Sequence, residues 1–204
     1  MSNVRRQMNQ SEFRQDSFTH VLVGDVVAAK SRLDELDTQT HRRELVRTTF
    51  SAIEGLHWQL KRDVLRHAEV VTSLSAHEYA ALLEEAYSVD EKGTVRSQPK
   101  FLPLPTAIRL VVTIVRRYRP EYAIDFQHVG WSNLRASVEV RNRLVHPKSL
   151  AELSVSDLEI TQALSAFNWL LALVIEVLRE THSHLQTATS AVLKKQDDGG
   201  KADA

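Results

Sequence analysis

The segment with the most chemical potential is Val138-Glu139-Val140-Arg141-Asn142-Arg143-Leu144-Val145-His146-Pro147-Lys148. It sets an arginine, an amide and an imidazole within six residues. Arginine is always charged and offers a planar fork of donors that fits phosphate or carboxylate oxygens. Histidine is the side chain that gives and takes protons near neutral pH. Pro147 disfavours helical geometry in the residue before it, so His146 is expected at a helix end. Asn142 and His146 are four apart and can share a helix face. Arg141 lies five before His146, roughly 140° around an ideal helix, so only its length or a distortion before Pro147 brings it to the same cleft. The residues alone also admit a plainer reading. Arg141 pairs with Glu139 or another acid, Asn142 caps a turn, and His146 simply ends the helix.

Other arrangements carry less. No phosphate-binding glycine loop, dinucleotide-binding glycine turn, nucleophile elbow or paired zinc histidines on one helix occurs. His182 and His184 are two apart and fall on different helix faces. Glu54-Gly55-Leu56-His57 matches the Glu-x-x-His spacing of two-metal bundles once, without a second copy. The chain has no cysteine, hence no disulfide framework, thiolate site or cysteine nucleophile. No metal or other cofactor is expected.

At 204 residues, with 43% apolar and 25% charged residues, the chain has the composition of one globular domain. Twenty-six basic residues balance 26 acidic ones, which excludes a uniformly basic coat. The balance is uneven, however. Residues 92–148 hold 11 Lys and Arg against three acids, a net +8, and the remainder carries −8. Such a basic third attracts a polyanion locally, although solvated helix faces produce the same pattern. The first 17 residues are polar and lack the apolar core of a signal peptide. The apolar run at residues 169–175 is far shorter than a bilayer crossing. Both points favour a cytoplasmic protein with no membrane partner.

The elements that must position these residues read as helices. Apolar residues recur at helical spacing, and β-branched alternation is scarce. A first helix is expected over residues 18–36, packing through Val21, Val23, Val26, Val27 and Leu33. A second is expected over residues 40–66, with Val46, Phe50, Ile53, Leu60 and Val64 on one stripe. His57 shares that stripe and reads as a core or groove histidine. Ser75 and Glu78 form a capping box for a short helix to about residue 86, with Tyr79, Leu82 and Leu83 facing inward. Residues 88–105, with Gly93 and three prolines, read as a long loop. A largely buried helix follows over residues 106–119, its last turn carrying Arg116, Arg117 and Arg119, which suits the helix dipole. A helix at residues 131–145 carries the Arg-Asn-x3-His segment. Its Leu134, Val138, Val140 and Leu144 exceed one narrow stripe, so part of that surface is expected to meet a partner subunit. A capping box at Ser156 and Glu159 opens the last helix, expected to end near residue 185. The layout is a polar N-terminal tail (1–17), a single all-α antiparallel bundle of five to six helices (18–185) and a disordered C-terminal tail (186–204).

Arg141-Asn142-Arg143-Leu144-Val145-His146, followed by Pro147 and set in an apolar helix, resembles the signature of the HEPN superfamily (higher eukaryotes and prokaryotes nucleotide-binding). That signature is Arg, a polar residue that is often Asn, three or more residues, then His. The helical layout over residues 40–185 is compatible with it. The resemblance implies a HEPN-like bundle that dimerises so that two motifs face one cleft. It implies a metal-independent endoribonuclease of the kind found in toxin–antitoxin, phage-defence and RNA-processing systems. Arg141 and His146 would be the catalytic pair, with Asn142 orienting groups or touching phosphate. Arg143, Lys148, Arg117 and Arg119 are the cations expected to meet RNA, and an antitoxin protein is an expected partner. Other members of the superfamily have lost activity and serve as RNA-, nucleotide- or protein-binding modules. Toxin members modified by a nucleotidyltransferase carry Tyr two residues after the histidine. Lys148 stands there in this chain, so that modification does not carry over.

Overall fold

A computed structural model describes residues 18–70, 74–120 and 124–199, without the side chains of residues 69–70 and 179–199. The expected tail at residues 1–17 and the side chains of His182 and His184 lie outside the described residues. The chain is an all-α helical bundle, 74% helical, with six α-helices and one small two-stranded sheet among the described residues. The elements are α1 (Phe18–Glu35), α2 (Gln39–Val70), α3 (Ala76–Leu83), β1 (Glu85–Val89), β2 (Val95–Pro99), α4 (Leu104–Tyr118), α5 (Val129–Val145), a short 3-10 turn (Ala151–Leu153) and α6 (Asp157–Gly199).

The chain divides into two compact units. The first holds α1, α2 up to Leu56, and the stretch from Gln127 to Leu170. Its core includes Leu45, Val46, Phe50 and Ile53 of α2, Leu134, Val140 and Leu144 of α5, and Phe167 and Leu170 of α6, all buried. Removing this apolar surface from water is the main favourable term for such a unit, about 25 cal/mol per Å². Close approach also matters. A Cβ at Gly130 would run into the Trp169 side chain, so glycine lets the start of α5 lie against α6. Trp131 and Trp169 meet there with their rings tilted 54° and their centroids 5.5 Å apart. Only Val26, Ala29 and Leu33 of α1 are buried, and Val21 and Val27 face solvent. That helix therefore packs through a narrower stripe than its valines suggest.

The second unit holds residues 57–126 and the chain from Leu171 onward. The capping box of α3 is present, with the Ser75 side chain accepting from the Glu78 amide and Glu78 accepting from the Ser75 amide. The helix stops at Leu83, earlier than expected, because Glu84 turns into the left-handed region at φ 58°. Its Leu82 is buried, whereas Tyr79 and Leu83 are exposed. The segment expected as one long loop instead forms an antiparallel hairpin pairing Glu85 with Pro99 and Val89 with Val95. Asp90 builds its turn, its Oδ1 accepting from the amides of Lys92 and Thr94 at 3.0 Å each. Gly93 takes φ 77°, a conformation that side chains disfavour. Pro105 sits in the first turn of α4 rather than in a loop, where its missing N–H costs nothing.

α6 continues as helix to Gly199 instead of ending near residue 185. Residues Asp157–Leu178 of this helix are long and apolar enough to cross a bilayer by length and composition, beyond what the run at 169–175 indicated. Ile160, Ala163, Ala166, Phe167 and Leu170 within that stretch are buried, and 39% of the apolar window is buried in all.

Candidate functional site

α5 carries the candidate site at its C-terminal end, in the first unit. The His128 side chain opens the helix, its Nδ1 accepting from the Gly130 amide at 2.9 Å. At the other end the His146 amide closes it by donating to the Asn142 carbonyl at 3.0 Å. His146 then leaves helical geometry at φ −125° and ψ 58°, as expected of a residue before proline. Arg47 of α2 donates from Nη2 to the Leu144 carbonyl at 2.9 Å and satisfies a last-turn acceptor. Leu134, Val140 and Leu144 are buried within the protomer. The apolar excess expected to meet a partner subunit is largely taken up inside the chain, because α5 packs on more than one side.

Within the motif, Arg141 reaches across to α2. Its Nη2 donates to Glu54 Oε1 at 2.7 Å, and its Nη1 donates to Asn142 Oδ1 at 3.3 Å. The guanidinium is half-buried, and its Glu54 partner is 47% exposed. Asn142 and His146 are exposed. The imidazole of His146 has no hydrogen bond among the described residues, and neither does the ammonium of Lys148, which is exposed beyond it. The structure thus joins Arg141 to Asn142 and Glu54, and leaves His146 and Lys148 open to an incoming molecule. The Lys148 amide donates to Glu152 Oε2 at 2.8 Å, which fixes the chain just after Pro147.

Arg143 is differently placed. Its Nη1 donates to the carbonyls of Glu152 at 2.5 Å and Ser154 at 2.8 Å, and its Nη2 to Glu159 Oε1 at 2.5 Å. Glu159 is also the acid of the α6 capping box, its Oε2 accepting from the Ser156 amide at 2.8 Å. Burial pushes the Glu159 carboxyl up, but hydrogen bonds from Ser156 and Arg143 outweigh this and hold it below its ordinary value. Arg42 adds an ion pair to Asp157 at 2.5 Å and a hydrogen bond to the Val155 carbonyl at 3.0 Å. Arg143 therefore braces the chain after the motif instead of presenting a free fork.

The remaining expected cations belong to the second unit. Arg117 pairs with Glu78 through both terminal guanidinium nitrogens, Nη1 and Nη2, and Arg119 is buried at 8% exposure. Neither presents an open guanidinium as Lys148 presents an open ammonium. Glu54 and His57, three apart on α2, do not act together. Glu54 goes to Arg141, while His57 is buried at 7% exposure. Burial pushes the His57 imidazole down to about 4, with the Lys61 charge adding to the shift. No group of three His, Asp or Glu side chains gathers into a metal site among the described residues. A cavity of about 310 Å³ lies between α1 and α2, lined by Leu22, Asp25, Ala28, Arg32, Thr48, Ser51 and Ala52, and no motif residue lines it. The motif site is an open surface at a helix end.

Spacing alone missed Glu54 as the partner of Arg141, since 87 residues separate them. The available signal was an acid directly following Ile53, on the shoulder of the buried stripe of α2. Compared with known proteins, the chain matches no family model, no curated protein and no solved structure.

Proposed function

We propose that the chain is a metal-independent endoribonuclease of HEPN type, working as a homodimer with Arg141 and His146 at its reactive centre. The observation that carries this reading is the Arg141-Asn142-x3-His146 motif at the C-terminal end of α5, with the arginine braced by Glu54 and Asn142 and the imidazole left exposed.

RNA brings its own nucleophile. The 2′-hydroxyl beside a phosphodiester is already positioned for attack, so the protein need not supply one. His146 takes the 2′ proton as the hydroxyl attacks phosphorus, and the 5′ oxygen departs with a proton from a second imidazole. A two-fold dimer provides that second imidazole from the other protomer. Arg141 offers charge to the non-bridging oxygens, where negative charge grows in the transition state. Its hold on Glu54 fixes the side chain on one side and leaves the rest of the fork for phosphate. Lys148, exposed two residues after His146, adds a second cation along the backbone. The products are a 2′,3′-cyclic phosphate and a 5′-hydroxyl.

The second reading, a non-catalytic RNA- or nucleotide-binding module, is favoured by one observation. Arg141 already has a carboxylate partner, which lowers its attraction for phosphate. Single-stranded RNA incubated with purified protein in EDTA separates the two. Cleavage that disappears in Arg141→Ala and in His146→Ala supports the ribonuclease. Salt-sensitive binding without any cleavage supports the module. Cleavage that survives both substitutions removes the motif from the mechanism.

A further inference from the structure

We propose that the outer edge of β1 is a pairing edge for a second copy of this chain, joining antiparallel to its counterpart about Tyr87. The inference stands on the hairpin alone and goes beyond the ribonuclease reading.

The ladder determines which backbone groups point outward. The Asp90 amide donates to the Thr94 carbonyl at 3.1 Å, and the Lys100 amide donates to the Glu84 carbonyl at 2.6 Å. Hydrogen-bonded pairs alternate along an antiparallel ladder. With the observed register, the inward groups of this strand are therefore those of residues 84, 86, 88 and 90. Glu85, Tyr87 and Val89 direct their N–H and C=O groups away from β2. The opposite edge belongs to Val95, Ser97 and Pro99, where Pro99 has no N–H to offer.

Proteins blunt strand edges that must not pair, using proline, lysine or a bulge. The outer edge of β2 carries its proline. β1 carries none of these devices, and its sequence Glu85-Ala86-Tyr87-Ser88-Val89 has a single charge. A two-stranded hairpin is marginal by itself and gains from added strands or a covering layer. Every residue of β2 is exposed, and so are Tyr87, Ser88 and Val89, with Glu85 and Ala86 half-buried, so among the described residues no covering layer lies over most of this ribbon.

A second copy fits this edge by symmetry. Antiparallel pairing centred on Tyr87 sets Tyr87 against Tyr87 and Glu85 against Val89 in both directions. All three outward residues then meet outward residues, and each such pair exchanges two backbone hydrogen bonds. The two Glu85 carboxylates stay roughly 14 Å apart, four strand residues at about 3.4 Å each, so no like charges face one another. Centring on Glu85 would set carboxylate against carboxylate, and centring on Val89 would set Tyr87 against Glu91. The Tyr87 register alone uses the whole strand without a clash of charge.

The chain has no cysteine, so introduced thiols report the contact directly. In the paired edge, facing Tyr87 Cα atoms lie about 5.5 Å apart, within disulfide reach. Mild oxidation of the full chain carrying Tyr87→Cys is expected to give a covalent dimer on a non-reducing gel. Ser97→Cys, three strand spacings from its mate or about 14 Å, is expected to stay monomeric. A mixture of Glu85→Cys and Val89→Cys proteins is expected to cross-link, while each alone does not. This second arm keeps Tyr87 intact and fixes the register. A Tyr87→Cys protein that retains its helical circular dichroism yet forms no dimer, or equal cross-linking of Ser97→Cys, overturns the proposal. Failure of the Glu85/Val89 mixture also overturns it. Cross-linking that persists with Arg141→Ala and His146→Ala added shows that the contact does not depend on the motif.

Discussion

Arg141 and Arg143 sit two residues apart on α5 and meet opposite surroundings. Arg143 points to the chain after the motif, where two carbonyls and the Glu159 carboxylate take up its donors. Arg141 points to α2, where one carboxylate and one amide oxygen hold it and part of its fork stays open. His146, which follows both, has an exposed ring. One side of the helix end is a closed clamp and the other an open surface. The same residue type is thus fully engaged at one position and only partly engaged at the other. The difference lies in how many acceptors the fold places within reach.

The sharpest break of this comparison removes an open group. His146→Ala is expected to lower RNA cleavage by about 10³-fold or more, the scale of an acid–base group. Because the ring is exposed, stability is expected to change by less than about 0.5 kcal/mol. Rate and urea midpoint measured on one preparation separate the two effects. Arg143→Ala is expected to do the reverse. It strands two carbonyls and a partly buried carboxylate, and the expected loss of stability is about 2–3 kcal/mol. Equilibrium urea unfolding measures it, and a midpoint equal to that of the unaltered chain would show that the clamp carries little.

A third prediction uses His57, one of two buried histidines of the second unit. The folded pKa of His57 is about 4, against 6.5 for an ordinary histidine. The unfolded chain therefore takes up this proton first as pH falls. The contribution is fully present above about pH 6.5 and is lost as pH drops toward 4, by up to about 3 kcal/mol. His57→Leu is expected to flatten that acid limb in urea midpoints measured from pH 7 to pH 4. An unchanged slope would place the acid sensitivity elsewhere. The smallest expected effect belongs to Glu54→Gln, which keeps an acceptor for Arg141 and removes the negative charge. An exposed ion pair contributes little to stability, about 0–1 kcal/mol. RNA binding is expected to tighten by a few-fold, read by fluorescence anisotropy at fixed salt. Weaker binding would mean that the carboxylate chiefly positions Arg141.

Much of the scaffold was legible in the chain. The buried stripe of α2, the capping boxes at Ser75 and Ser156, and the helix end before Pro147 rest on local rules that a sequence displays. The hairpin was not legible. Its strands carry few β-branched residues, and Pro99 reads as a breaker until it is seen at an outer edge. The end of α3 escaped because Glu84, not glycine, adopts the left-handed turn. At the site, the helix end at His146 followed from Pro147, but the partners of Arg141 and Arg143 did not. Glu54 lies 87 residues from Arg141, and the acceptors of Arg143 lie beyond the end of its own helix. Such contacts depend on how helices pack, which no spacing within one helix encodes.

End-group analysis of RNA fragments, made in EDTA by the unaltered chain and by His146→Ala, tests the central claim most directly. The account predicts 2′,3′-cyclic phosphate and 5′-hydroxyl ends from the unaltered chain and no fragments from the variant. Fragments ending in 5′-phosphate, or the same cyclic ends from both proteins, would contradict it.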